Sequence, residues 1–74
     1  MIFTNNEEVT VYAGEYNFSA KLNGGSILLE QNIDGTWSTV SGVPTSDMNG
    51  IIKVGNCKMR ATLTGGSTFS MIRV

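Results

Sequence analysis

Few side chains in this 74-residue chain could attack a substrate, move a proton or hold a metal. There is one thiol, Cys57, and no histidine. A cysteine nucleophile needs a base to take its proton, most often an imidazole. Cys57 instead stands in phase with Met59, Ala61 and Leu63, the pattern of a buried structural cysteine. The carboxylates are Glu7, Glu8, Glu15, Glu30, Asp34 and Asp47. Sugar hydrolysis needs two of them a fixed distance apart across the scissile bond, but most fall near the N-terminus or at turns, where acids are ordinary. Asp34 lacks the ladder of further acids and amides that a calcium loop requires. With no His and one Cys, a typical zinc site is not expected. Neither Gly24-Gly25 nor Gly65-Gly66 is a phosphate loop, since neither opens a helix nor precedes Lys-Ser/Thr. The expectation is a protein that is not an enzyme, with no catalytic, metal or cofactor-binding residues. One binding chemistry remains open. Trp37, Tyr12 and Tyr16 could form an aromatic platform for a carbohydrate, although aromatics in strands more often serve core or cross-strand packing.

The elements that would position these residues are strands. Cys57, Met59, Ala61 and Leu63 alternate with Lys58, Arg60, Thr62 and Thr64, the period of two that marks a strand with one buried face. Thr64-Gly65-Gly66-Ser67 then turns the chain into a second β-prone run, Thr68 to Val74, so a hairpin is expected. Tyr16, Phe18, Ala20 and Leu22 alternate in the same way, and Asn23-Gly24-Gly25 is again a hairpin signal, because Gly and Asn tolerate positive φ. Displacing the sequence by 41 residues lays positions 10–31 on 51–72 with six identities: Gly14/Gly55, Ala20/Ala61, Leu22/Leu63, Gly24/Gly65, Gly25/Gly66 and Ser26/Ser67. Such self-similarity is read as two structural copies, and two copies suit the halves of one sandwich better than a solenoid.

The remaining segments follow the same logic. Residues 1–7 read as an arm whose Ile2 and Phe3 could tuck into the domain or a neighbour. Val9–Ala13 is a strand and Gly14-Glu15 a tight turn. Ile27-Leu28-Leu29, a continuous apolar run, suggests a strand covered on both faces. Asp34-Gly35 signals a hairpin into Thr36–Val40, with its loop length, and hence the face of Trp37, left open. Ser41–Gly50 contains Pro44 and reads as a loop or edge. Ile51–Val54 is a strand and Gly55-Asn56 a turn. No segment has a helical period. The fold class expected is all-β: a single antiparallel β-sandwich of about seven strands over residues 8–74, with an internal two-fold repeat (10–31 and 51–72), preceded by the arm 1–7. Its core is expected to contain Val11, Phe18, Leu22, Leu29, Ile52, Met59 and Leu63.

Composition narrows the function classes. Charged residues are 15% of the chain and the net charge is −1, against an average charged fraction of about 25%. There is no basic patch, so nucleic-acid binding is disfavoured, and no apolar run approaches a membrane span. The start of the chain lacks the basic and apolar regions of a signal peptide, which points to folding in a reducing cytosol. Asn17-Phe18-Ser19 is then a coincidental match to the glycosylation pattern. A chain this short buries only about 60–65% of the surface it exposes when unfolded and usually needs a staple. With one Cys an intrachain disulfide is ruled out, leaving tight packing or oligomerisation. The last strand fits oligomerisation: Phe69 and Met71 point one way, Ile72 and Val74 the other. All four are candidate interface residues.

The order V-x-V-x-A-G-x-Y-x-F-S-A at 9–20, G-G-S-I-L-L-E-Q at 24–31, D-G-T-W-S-T-V at 34–40 and the closing M-I-R-V at 71–74 resembles small all-β virion proteins of tailed bacteriophages, of the head- and capsid-associated kind. The resemblance implies a non-enzymatic structural protein made in the host bacterial cytoplasm and located on the virion, where it decorates or stabilises the capsid. It implies protein partners, either the capsid protein or further copies of itself, with a trimer expected because capsids present three-fold points. It brings no site motif. Similar G-x-Y-x-F-S strands occur in carbohydrate-binding sandwiches, so the alternative is a carbohydrate- or receptor-binding module of a phage adhesin, using Trp37 with Tyr12 or Tyr16.

Overall fold

The structure is a computed structural model and describes residues 1–40 and 46–74. The expectations for Ser41 to Thr45, Pro44 included, lie outside the described residues. Seven strands form: β1 (Val9–Val11), β2 (Gly14–Lys21), β3 (Ile27–Ile33), β4 (Thr36–Thr39), β5 (Met48–Val54), β6 (Cys57–Leu63) and β7 (Thr68–Arg73). They make two antiparallel sheets, one ordered β1-β6-β3-β4 and the other β5-β2-β7. The alternation of each strand turns one row of apolar side chains inward. Phe3, Val11, Tyr16, Ala20, Ile27, Leu29, Val54, Met59, Ala61, Phe69 and Met71 are buried between the sheets. Of the expected core, Val11, Leu29 and Met59 are fully in place, and Phe18, Leu22, Ile52 and Leu63 pack around them half-buried.

The glycine turns are not hairpins. β2 and β3 lie in different sheets, as do β6 and β7, so each turn carries the chain from one layer to the other. The local turn chemistry is as expected: positive φ at Asn23 and Gly24 (47° and 80°) and at Gly65 and Gly66 (61° and 81°). Each turn is closed by a hydrogen bond, from the Gly25 N–H to the Leu22 carbonyl (2.7 Å) and from the Ser67 N–H to the Thr64 carbonyl (3.1 Å). What redirects the strands is pairing elsewhere, since β2 is taken up by β5 and β7, and β6 by β1 and β3. Among the described residues the one pair of consecutive strands that does form a hairpin is β3–β4. Its loop has two residues, Asp34 and Gly35 (φ 50° and 87°), and Ile33 opposes Thr36. That register places Trp37 opposite Asn32, on the outer face.

Three further expectations change. Gly14 and Glu15 begin β2 rather than turning, and Gly14 is extended at φ 158°. Tyr12 and Ala13 make the crossing instead, with the Ala13 N–H held by the Asn56 side-chain oxygen (2.7 Å). Leu28 is 41% exposed, so β3 is covered on one face, the other being the open outer side of its sheet. β5 starts at Met48, three residues before the apolar run that signals it.

The arm is part of the fold. The Phe3 N–H donates to the Phe69 carbonyl (3.0 Å) and the Met71 N–H to the Met1 carbonyl (2.9 Å), which lays the arm along the free edge of β7 in a single bridge, Ile2 to Ser70. Phe3 drops into the core, its ring edge-on to Phe69 at 5.3 Å. Asn5 and Asn6 then reach β6 in the other sheet, Asn5 accepting from the Leu63 N–H (2.9 Å) and Asn6 from the Thr62 hydroxyl (2.9 Å).

The pairing has an internal correspondence. Exchanging β1, β2 and β3 with β5, β6 and β7 turns the order β1-β6-β3 into β5-β2-β7. Moving both partners by 41 residues converts Val9 opposite Met59 into Gly50 opposite Phe18, which is the observed register. Beyond the turns the spacing becomes 42: Asn23-Gly24 matches Gly65-Gly66, and buried Ile27 and Leu29 match Phe69 and Met71. Thr64 is the extra residue, so the glycines that align in sequence are one position apart in the turns.

Candidate functional site

The outer face of the three-stranded sheet is built on β2, its central strand. The residues of β2 that alternate with buried Tyr16 and Ala20 point outward: Glu15, Asn17, Ser19 and Lys21. The registers set their neighbours. Asn17 lies between Ile51 on β5 and Ile72 on β7; Ser19 lies between Asn49 and Ser70; Glu15 lies beside Lys53. Ile2 of the arm continues the Ser19 row through its bridge to Ser70. Ile2, Ile51 and Ile72 are 78%, 61% and 69% exposed. The middle of the face therefore carries isoleucines, short hydroxyls and amides, with side-chain charge at the ends, Glu15 and Lys53 at one and Lys21 and Asp47 at the other, and with the Met1 ammonium bonded to the Met71 carbonyl along the β7 edge. A shallow dent of about 300 Å³ lies between Asn17, Ser19, Asn49, Ser70 and Ile72. Three isoleucines in one small area are a surface that water solvates poorly.

Of the four candidate interface residues, the structure leaves Ile72 and Val74 on the surface, both more than two-thirds exposed. Phe69 and Met71 are buried at 2% and 0% and belong to the core, because the odd positions of β7 face β6 and the arm covers its edge. Ile51 and Asn17 were missed, and Ile2, expected to tuck into the domain or a neighbour, stays exposed. Ile51 and Ile72 are far apart in sequence and come to flank Asn17 only once both strands are known to pair with β2.

The aromatic platform does not assemble. Tyr16 is buried, its hydroxyl donating to the Tyr12 carbonyl (2.6 Å) and accepting from the Arg73 guanidinium (3.1 Å). Tyr12 is 67% exposed in the β1–β2 crossing. Trp37 lies on the outer face of the other sheet, beneath Arg60, whose guanidinium carbon is 4.0 Å from the ring centroid. Arg60 Nε also donates to Glu30 Oε1 (2.9 Å), so cation, ring and carboxylate form one packed unit. Glu30 is thereby held in an ion pair.

Cys57 is half-buried at the start of β6, opposite Val11, and burial pushes its thiol pKa up, which disfavours the nucleophilic thiolate. Among the described residues no three His, Cys, Asp or Glu side chains converge as metal ligands. No buried side-chain nitrogen or oxygen among them lacks a hydrogen-bond partner, so no orphaned polar group points to a ligand. A second open hollow, lined by Ala13, Gly14, Glu15, Lys53 and Arg73, lies at one end of the sandwich. Its Arg73 guanidinium is already engaged by Tyr16 and the Tyr12 carbonyl.

No protein-family model, curated protein or solved structure matches this chain.

Proposed function

We propose that this chain is a non-enzymatic structural protein that works by protein–protein contact, as a small component decorating or stabilising a bacteriophage capsid. The observation that carries the contact reading is the outer face of the β5-β2-β7 sheet, where Ile2, Ile51 and Ile72 stand exposed around Asn17, with charged side chains only at the two ends. Two observations support the non-enzymatic reading: burial raises the Cys57 thiol pKa, which disfavours the thiolate, and Glu30 is paired with Arg60. The capsid as the assembly concerned rests on the sequence resemblance, which implies a partner that repeats on a lattice or further copies of this chain. A sugar platform needs adjacent exposed rings. Here Tyr16 is buried, Tyr12 lies in the β1–β2 crossing, and Trp37 lies on the outer face of the β1-β6-β3-β4 sheet under an arginine, so the geometry favours the contact reading over the adhesin one.

The test is to identify the chain by mass spectrometry in purified particles and to rebind recombinant protein to particles stripped of it. Binding to the particle is expected, and the double substitution Ile51→Asp, Ile72→Asp should abolish it with the circular dichroism spectrum unchanged. Absence from particles, or binding indifferent to both substitutions, would overturn the proposal.

A further inference from the structure

We infer that the β5-β2-β7 face is self-complementary and pairs with the same face of a second copy about a two-fold axis running across the strands at the level of Asn17. The inference rests on reading this face as a contact surface and names the partner as this chain itself. It departs from the three-fold assembly that the sequence resemblance implies.

The central row reads Ile72, Asn17, Ile51, with the two isoleucines flanking the amide on either side. Two sheets stacked face to face lie about 10 Å apart, which is the reach of two side chains. An isologous interface must place each residue on its own copy or exchange it with another. Two in-plane axes bring isoleucine onto isoleucine here. An axis along β2 would stack Ile51 on the partner's Ile72, but it would also set Glu15 against the partner's Glu15. An axis across the strands sets Ile51 on Ile51 and Ile72 on Ile72. It moves Glu15 over the partner's Ser19 and Lys53 over the partner's Asn49, because the Glu15 and Ser19 rows are equidistant from the Asn17 row. Ile2, in the Ser19 row, then comes over the end of the sheet where the partner's Val74 is bonded to Glu15. Charge thus selects the crosswise axis. On that axis Asn17 meets Asn17, and a carboxamide, carrying donor and acceptor together, can satisfy its own copy in both directions.

The area sets the strength. Strands are about 4.8 Å apart and residues about 3.3 Å along them, so three strands and the arm present roughly 20 by 20 Å. Stable interfaces cover about 800 Å² of each partner, and this patch is about half that. A weak pair, forming over roughly 10 µM to 1 mM, is therefore expected, and crowding on a surface would favour it.

Sedimentation equilibrium of the full chain over that range should show the mass rising from 7.9 kDa towards twice that value. Asn17→Asp, which puts two carboxylates on the axis at almost unchanged shape, should weaken association by at least about tenfold, since like charges placed together oppose pairing. Ile72→Asp should do the same, both variants retaining the wild-type circular dichroism and melting. Glu15→Gln should leave the constant within about twofold. A monomer throughout the range, a trimer, or association indifferent to Asn17→Asp would overturn the inference. A marked tightening by Glu15→Gln would place Glu15 on the axis and overturn the crosswise arrangement. Particle rebinding reports separately on the proposed function: a chain that binds particles yet stays monomeric leaves that function standing without this pairing.

Discussion

Gly25 is where the two crossing turns meet, and replacing it tests the arch architecture directly. A β-carbon at position 25 would lie 1.7 Å from the Thr64 carbonyl oxygen and 2.9 Å from the Gly65 α-carbon. Both are backbone atoms, so no side chain can swing away. Relief requires the turns to part by more than an ångström, across the bonds that join them. Those bonds are Thr64 N–H to the Ser26 carbonyl (3.0 Å), Ser26 N–H to Thr64 Oγ1 (2.9 Å), Ser26 Oγ with Thr64 Oγ1 (2.7 Å), and Ser67 Oγ–H to the Ser26 carbonyl (2.8 Å). At about 0.5–1.5 kcal/mol each, and nearer the lower figure because most are exposed, their loss costs about 3 kcal/mol. Against a stability of about 5 kcal/mol for so small a domain, Gly25→Ala leaves about 2. At about 4–8 °C per kcal/mol, the melting temperature should fall by roughly 12–24 °C. Gly24→Ala is the control. Its β-carbon meets nothing within 4 Å, and only the positive φ of 80° opposes it, a strain of about 1–2 kcal/mol partly offset by the stiffer unfolded chain. Thermal melts followed by far-UV circular dichroism decide the matter. If Gly25→Ala melts no lower than Gly24→Ala, the two turns do not pack as described and the reasoning fails.

Other substitutions probe the rest of the molecule. Phe3→Ala should cost about 3–5 kcal/mol, the usual toll for emptying a buried aromatic site, and leave about 0–2 kcal/mol of stability at 25 °C by urea titration; a loss under about 1 kcal/mol would mean that the arm is dispensable. Arg60→Ala removes a half-exposed ion pair to Glu30 and the cation over Trp37, together worth about 1 kcal/mol. It should shift Trp37 fluorescence as the ring becomes wetted, and an unchanged spectrum would contradict the stacked arrangement. Cys57 should alkylate more slowly in the folded chain than in urea. Because burial raises its pKa, the folded state holds its proton longer, so stability should decline as pH rises past the ordinary thiol pKa of about 8.5; a rise in stability over that range would reverse the assigned sign.

Much of the fold was legible because strand alternation is a local signal. The inward rows of β2 and β6 and a hairpin at Asp34-Gly35 follow from sequence spacing, whereas the two-residue length of that loop, and with it the face of Trp37, is visible only in the observed register. The glycine turns misled because their dihedral chemistry is that of a hairpin, while the partners of the flanking strands are chosen at long range. At Gly65-Gly66 a clue was nonetheless present. A two-residue hairpin there would oppose Leu63 to Thr68 and Ala61 to Ser70, leaving Ile72 opposite Met59, whereas Phe69 and Met71 share the parity of the Met59-Ala61 row. At Asn23-Gly24 no such clue exists, since Ala20 would oppose Ile27 quite acceptably. The candidate face was half-legible for the same reason. Ile72 stands out as apolar on the wrong side of its strand, but its companion Ile51 belongs to a strand whose neighbour cannot be read locally.

The two outer faces of the sandwich differ in what they present to solvent. On the β1-β6-β3-β4 sheet, Lys58, Arg60 and Glu30 stand outward and the one tryptophan is shielded under Arg60, so that face is furnished for water even though Leu28 is partly exposed. On the β5-β2-β7 sheet the same strand alternation places isoleucine where a solvent-facing row would carry charge. Nothing in the packing of one subunit demands this, because Ile51 and Ile72 lie outside the core and replacing them would open no cavity. Exposed isoleucines are costly for a small chain whose charged fraction is only 15%, since little else opposes indiscriminate association. Their concentration on one face, around an amide able to pair with itself, is the arrangement that the proposed contact with a partner requires.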